Sequence, residues 1–197
     1  MAKLYFRHGT VGSAKTLNLL AVAHNYQQQG KRALLLKPAL DTRFGRTFVR
    51  SRAGLERQAD YLLERDTLLP PELLEGVDCI LVDEAQFLSP FVVEHLRSLT
   101  RSHAIPVICY GLRSDFRTRL FPGAARLLEL ADSIEEIKTT CAFCNRKAIF
   151  NLKLMDGVPT LAGPSVDLGS EEKYLPACHG CYQERLGAAA CRGADSI

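Results

Sequence analysis

The sequence predicts an α/β fold, a parallel sheet flanked by helices, followed by a small metal-clipped C-terminal unit. Three observations carry this. Four short apolar runs alternate with helix-like stretches, a glycine-containing loop ending in Lys-Thr joins the first run to the first helix, and two Cys-x-x-Cys pairs close the chain's last third. With 197 residues, 47% hydrophobic and 24% charged, the chain is long enough for one substantial core plus an appendage.

The apolar runs are Lys3-Phe6, Ala33-Lys37, Cys79-Val82 and Val107-Tyr110. Several are continuous rather than alternating, as in parallel strands covered on both faces. After the first run comes Gly9-Thr10-Val11-Gly12-Ser13-Ala14-Lys15-Thr16, and a helical pattern then extends from Ser13 to a stop at Gly30. Strand, glycine-containing loop and helix start with Lys-Thr form a phosphate-binding loop, or P-loop: backbone N–H groups surround an anion, Lys15 reaches the terminal phosphates, and the Thr16 hydroxyl serves Mg²⁺. One position departs from the pattern, since glycine usually precedes the lysine and Ala14 stands there. Ser89-Pro90, followed by Val92, Val93, Leu96 and Leu99, predicts a further helix with Ser89 as N-cap and Pro90 at its first position.

The run Ile80-Leu81-Val82 ends in Asp83-Glu84-Ala85-Gln86. A carboxylate at the end of a buried strand lies beside the phosphates, so Asp83 is the expected Mg²⁺ partner, and Glu84 is placed to accept a proton from an attacking hydroxyl. An isolated Asp-Glu pair would read as a solvated turn; joined to the loop at 9–16 it reads as chemistry.

Near residue 138 the texture changes. Cys141-x-x-Cys144 and Cys178-x-x-Cys181 offer four thiolates, which fill tetrahedral Zn²⁺ and leave no open position, a structural site. The residues between them include few apolar side chains, so the metal is expected to substitute for a core. The expected boundaries are a nucleotide-binding domain at 1–138, a zinc unit at 139–185 and a flexible tail at 186–197. Cys79 and Cys109 read as core residues, Cys191 as a free thiol, and His8 and His179 as incidental neighbours of the two sites. Arg113, Arg117 and Arg119 form the one tight basic cluster, open between a solvated face and a role toward an anion.

The net charge of +3 with scattered Lys and Arg argues against nucleic acid as the main partner. No apolar run approaches the roughly 20 residues of a membrane span, and the N-terminus lacks a secretory pattern, so a cytoplasmic address is expected.

Together these residues resemble the zinc-containing (type II, bacterial and animal cytosolic) thymidine kinase family. The resemblance runs from about Lys3 to Tyr182. It rests on the loop Gly9 to Thr16, Asp41-Thr42-Arg43-Phe44-Gly45, Asp83-Glu84-Ala85-Gln86-Phe87, Tyr110-Gly111-Leu112-Arg113-Ser114-Asp115-Phe116, both cysteine pairs, and Lys173-Tyr174. It implies a RecA-like P-loop domain and a zinc-held lasso over the nucleoside. It also implies transfer of the ATP γ-phosphate to the 5′-hydroxyl of thymidine or deoxyuridine, with Glu84 as general base and Lys15 as charge stabiliser. Asp41, Thr42, Arg43 and Gln86 are implied on the ATP side, and Phe116, Ser165, Val166, Asp167, Leu168, Gly169 and Tyr174 on the nucleoside side. Structural Zn²⁺, Mg²⁺ with ATP, a homotetramer and feedback inhibition by thymidine triphosphate complete the expectation. The main alternative is a nucleic-acid-dependent P-loop ATPase with a zinc ribbon; it falls short on length, since only about 140 residues precede the cysteines and helicases usually use two such domains. A non-enzymatic zinc adaptor leaves Lys15, Thr16, Asp83 and Glu84 idle.

Overall fold

The computed structural model describes residues 1–43, 45–165 and 174–194. Six strands form one sheet in the order β5-β2-β6-β7-β1-β8, every neighbouring pair parallel. They are β1 (Leu4–His8), β2 (Ala33–Pro38), β5 (Tyr61–Leu63), β6 (Cys79–Val82), β7 (Val107–Gly111) and β8 (Ser133–Glu136). The four apolar runs supply the four inner strands. The edges β5 and β8 escape the sequence reading because one has three residues and the other carries Glu135 and Glu136, features that keep an edge strand short and charged.

Side chains that alternate along each inner strand divide between two cores. Leu4, Phe6, Leu34, Leu36, Ile80, Val82, Val107 and Cys109 pack with Val92, Val93, Leu96 and Leu99 of α3 (Pro90–Ser102) and Ala124 and Leu127 of α4 (Pro122–Leu130). Ala33, Leu35, Cys79, Leu81, Ile108 and Tyr110 pack with Leu19, Leu20 and Ala23 of α1 (Lys15–Gln28). The period-2 geometry of strands thus explains why the runs read as continuous: both faces are covered. The Ser89 hydroxyl accepts from the Val92 N–H at 3.2 Å with Pro90 at the first helical position, as expected, and Gly30 follows the end of α1 at φ +68°. Burial raises the Cys79 thiol to about 11 and raises Cys109 too, in keeping with inert core residues.

Beyond the sheet, β3 (Phe48–Arg50) and β4 (Glu56–Gln58) make an antiparallel hairpin whose tip reaches back toward the P-loop, and the single-turn helix α2 (Pro71–Leu74) precedes β6. In the C-terminal third, β9 (Phe150–Met155) pairs antiparallel with both β10 (Val158–Pro159) and β11 (Tyr174–Ala177). Asp156 and Gly157, both at positive φ, form the two-residue turn between β9 and β10, a hairpin signal legible in the Asp-Gly pair itself.

Two expectations change here. The zinc unit does bury a small core, Leu152, Ala177 and Tyr182 with Phe143, Phe150, Leu154 and Leu186 around them, because α5 (His179–Ala194) folds onto β9. The stretch expected as a flexible tail is helical through Ala194; Ala188, Ala189 and Ala190 are the strongest helix formers, and an apolar pattern was not needed to extend a helix already anchored by Tyr182. Phe44, Val166 to Lys173, the Cys191 thiol and residues 195–197 lie outside the described residues.

Candidate active site

The P-loop occupies the connection from β1 to α1. Gly9 is required by close approach: a Cβ there would meet Ser13 Oγ at 2.4 Å and the Ile137 carbonyl oxygen at 2.5 Å. Gly12 (φ +73°) and Ala14 (φ +62°, ψ +25°) are both left-handed, so the departure from the glycine pattern falls where a Cβ is strained. Lys15 is buried, and its ammonium donates to the Thr10 carbonyl at 2.7 Å and Ser13 Oγ at 3.4 Å.

Thr16 Oγ1 donates to the Asp83 carboxylate, 3.2 Å from either oxygen. The two groups expected to serve Mg²⁺ therefore meet, although 67 residues separate them. Burial, then the neighbouring Glu84 carboxylate, pushes Asp83 up to about 7 against the pull of Arg43. Burial and a like charge both favour the neutral carboxyl, and a cation beside it would favour the charged form.

Glu84 stands in left-handed backbone (φ +49°), one of few non-glycine residues so placed. Its Oε1 lies 2.7 Å from Arg43 Nη2, and its Oε2 accepts from Gln86 Nε2. Gln86 Oε1 in turn accepts from the Leu112 N–H at 2.9 Å; Gly111 makes room, since a Cβ there would lie 2.6 Å from Gln86 Oε1. Behind Arg43, Asp41 Oδ1 accepts from its Nε at 2.8 Å, and the fully buried Lys37 Nζ lies 3.3 Å from Asp41 Oδ2. Arg43 and Lys37 hold the Asp41 carboxyl below the usual carboxylate range against its burial.

Two cavities border this cluster. Over the P-loop, one is lined by residues 11–17, Arg43, Glu84, Leu112 and the hairpin residues Arg50, Ser51 and Arg52. The other runs past Leu40, Thr42, Gln86, Phe87, Phe121 and Ser165, with Phe87 and Phe121 in an edge-to-face pair. Arg50, Arg52, Phe87 and Phe121 are the additions the sequence reading missed. Phe87 closes a motif the sequence reading quoted without giving it a role; the arginines reach the P-loop only because β3 and β4 fold over it.

Phe116 and Tyr174 come together with ring centroids 6.2 Å apart. Phe116 is 2% exposed, with Lys153 Nζ 4.8 Å and the Arg117 guanidinium 4.9 Å from its ring centre. The open question over the basic cluster resolves in part: Arg117 donates to the Leu161 carbonyl at 3.0 Å and to the Gly163 carbonyl, so it fastens two segments together. Val166, Asp167, Leu168 and Gly169 are outside the described residues; Ser165, the described member of that group, lines the second cavity.

The four sulfurs of Cys141, Cys144, Cys178 and Cys181 lie within 4.8 Å of one another. Zn–S bonds of about 2.3 Å in a tetrahedron require S···S edges of about 3.8 Å. Cys144 and Cys178 stand 3.7 Å apart, a fit for zinc and far from a disulfide of about 2.05 Å. The Phe143 N–H donates to Cys141 Sγ and the Cys181 N–H to Cys178 Sγ, bonds that favour thiolates. His179 packs on Phe150 instead, and His8 on Phe6.

A family model described as thymidine kinase matches residues 2–182. The thymidine kinase of Streptococcus gordonii is 44% identical over 184 residues, 92% of this chain and 96% of its own. That of Lactiplantibacillus plantarum is 43% identical with the same coverage, and that of Streptococcus pyogenes serotype M3 is 41% identical over 92% of this chain and 97% of its own. Among solved structures, the Pif1 helicase from Candida albicans aligns with a TM-score of 0.42 at 8% identity, over 69% of this chain and 36% of its own. With the family match spanning both the P-loop and the cysteine cluster, the chain belongs to the thymidine kinase family.

Proposed function

We propose that the protein phosphorylates thymidine or deoxyuridine at the 5′-hydroxyl with the γ-phosphate of ATP. The observation that carries this is the position of Glu84, which lines the cavity over the P-loop while its Oε2 accepts from Gln86, a wall of the aromatic groove. A carboxylate there faces a phosphoryl donor on one side and an acceptor hydroxyl on the other.

The residues divide the work as follows. Backbone N–H groups of the loop other than those of Gly9, Val11 and Ser13, which donate within the protein and hold its shape, bind the β- and γ-phosphates together with the Lys15 ammonium and stabilise charge as transfer proceeds. Glu84 takes the proton of the 5′-hydroxyl as the O5′–P bond forms and the bond from γ-phosphorus to the β–γ bridging oxygen breaks, releasing ADP. Arg43, held by Asp41 and Lys37, orients Glu84 and presents a guanidinium to the phosphate cavity; Thr42 borders the groove and Ala85 begins the turn that carries Gln86, which fixes the second oxygen of Glu84. Thr16 and Asp83 would hold Mg²⁺, which when bound neutralises phosphate charge. Phe87, Phe121, Ser165 and the Phe116–Tyr174 pair bound the nucleoside, and Val166, Asp167, Leu168 and Gly169 are proposed to supply backbone contacts to the base. Zn²⁺ on the four cysteines holds the unit carrying these contacts. The same reading includes a homotetramer, inhibition by thymidine triphosphate, and action in the cytoplasm without membrane or nucleic-acid partners. No helix among the described residues is long and apolar enough to cross a membrane.

Purified zinc-loaded protein given labelled thymidine and Mg-ATP should yield thymidine monophosphate. Its absence from correctly folded protein would reject the proposal. Light scattering and added thymidine triphosphate test the tetramer and the inhibition separately.

A further inference from the structure

A side chain of the zinc unit is hydrogen-bonded into the P-loop. Asn151, in β9, is 5% exposed, and its Oδ1 accepts from the Val11 N–H at 2.8 Å. Its Nδ2 lies 3.4 Å from the Ser114 carbonyl, to which it donates. Only one orientation of the amide serves both neighbours, since Val11 offers a donor and Ser114 an acceptor. A leucine would serve neither, and a carboxylate would set an oxygen against the Ser114 carbonyl. The residue type is thus fixed by the pair of contacts.

The three segments joined at Asn151 matter individually. Val11 belongs to the first limb of the P-loop, whose other ties include the Gly9 N–H to the Gly111 carbonyl at 3.3 Å, the Ser13 N–H to the Thr10 carbonyl at 3.3 Å and the Lys15 ammonium to the Thr10 carbonyl. Ser114 follows Leu112, whose N–H orients Gln86 and through it Glu84. Asn151 itself faces Pro176 of β11, two residues before Cys178. The zinc unit is also joined to the same loop where the Tyr182 hydroxyl donates to the Phe116 carbonyl at 2.6 Å.

We infer that Asn151 is a positioning residue for phosphate binding: it makes the zinc-held strand part of the wall that holds the P-loop in shape. A cradle of backbone N–H groups binds an anion well only when it is already in place. Removing the amide leaves the part-buried Val11 N–H without its acceptor, and this limb of the loop loses a fastening. This extends the zinc unit's part from the nucleoside to the ATP side, and it rests on the reading of residues 9–16 as the triphosphate cradle.

The test uses full-length, zinc-loaded protein with Asn151→Leu and Asn151→Ala, the second removing the amide without added bulk. ATP binding by calorimetry should weaken about tenfold in both. The KM for ATP should rise similarly while kcat changes by less than about threefold. Hydrogen exchange should speed up in peptides covering Gly9 to Ser13 while β9 and β11 keep their protection. ATP binding within twofold of wild type in both variants, with unchanged loop exchange, overturns the inference and leaves the proposed function standing. Loss of zinc or of exchange protection in β9 also overturns it, since Asn151 would then serve the zinc unit and not the loop. Failure of the wild-type protein itself to bind ATP overturns the reading of the loop, and the inference falls with it.

Discussion

Ala14→Gly probes the one residue at which this P-loop departs from its pattern. At φ +62° and ψ +25° the alanine Cβ crowds the following carbonyl, a strain of about 1–2 kcal/mol that glycine lacks. Where the strain is expressed depends on the free loop. A loop that relaxes without nucleotide must restore the left-handed turn on binding, and relief then appears as affinity: about 1.4 kcal/mol is tenfold in Kd. A loop that keeps the turn carries the strain through folding, and relief then appears as stability, offset by about 0.4–1 kcal/mol because glycine makes the unfolded chain more flexible. A net gain near 1 kcal/mol would raise Tm by about 2–4 °C in a chain of this size. The assay is ATP titration calorimetry beside thermal melts on zinc-loaded wild type and Ala14→Gly. Tighter binding, a higher Tm, or a share of both is expected, and Ala14→Val should move each quantity the other way. If neither affinity nor Tm rises in Ala14→Gly, the strain argument is wrong and the loop has accommodated its alanine at no cost.

Further tests address the carboxylates and the metal. Glu84→Gln should keep the melting temperature and ATP affinity near wild type while cutting turnover by at least about a hundredfold; near-normal turnover would remove Glu84 as base. Asp83 tests the burial argument through pH. Its folded pKa near 7 lies above the ordinary carboxylate value of about 4, so the unfolded chain releases this proton first and stability falls as pH rises through that window. In Mg²⁺-free buffer, Asp83→Asn should therefore gain on wild type in Tm as pH rises from 5 to 8; a gap that stays flat or narrows contradicts the buried-acid picture. Cys144→Ser should lose zinc and nucleoside binding altogether while ATP binding weakens about tenfold, as in the Asn151 variants, because the tie from Asn151 to Val11 goes with the zinc unit; separate titrations would show the difference. Equal loss of both ligands would mean that the two units do not hold their sites separately.

Much of the candidate site was legible in the sequence because its groups are local. Lys15 and Thr16 sit on one helix start, Asp83 and Glu84 at one strand end, and each cysteine pair in one turn, so short spacing determined which groups stand together. The inner strands were legible for a similar reason: a parallel strand covered on both faces must be apolar at every position, as Cys79 to Val82 and Val107 to Tyr110 are. The edge strands β5 and β8, the helical end of α5 and the small zinc-unit core were not, because each is stabilised by what it packs against more than by its own pattern. What only the tertiary structure decided are the long-range pairings: Arg43 on Glu84, Gln86 on Leu112, the hairpin arginines over the P-loop, and Asn151 on Val11. A hydrogen bond has no signature in sequence when its partners are separated by 140 residues, since its existence depends on how two sheets are set against each other. The backbone sign at Ala14 belongs with these. Sequence names the residue, but the turn from β1 into α1 forces its φ positive, and that turns a one-residue departure from a motif into strain.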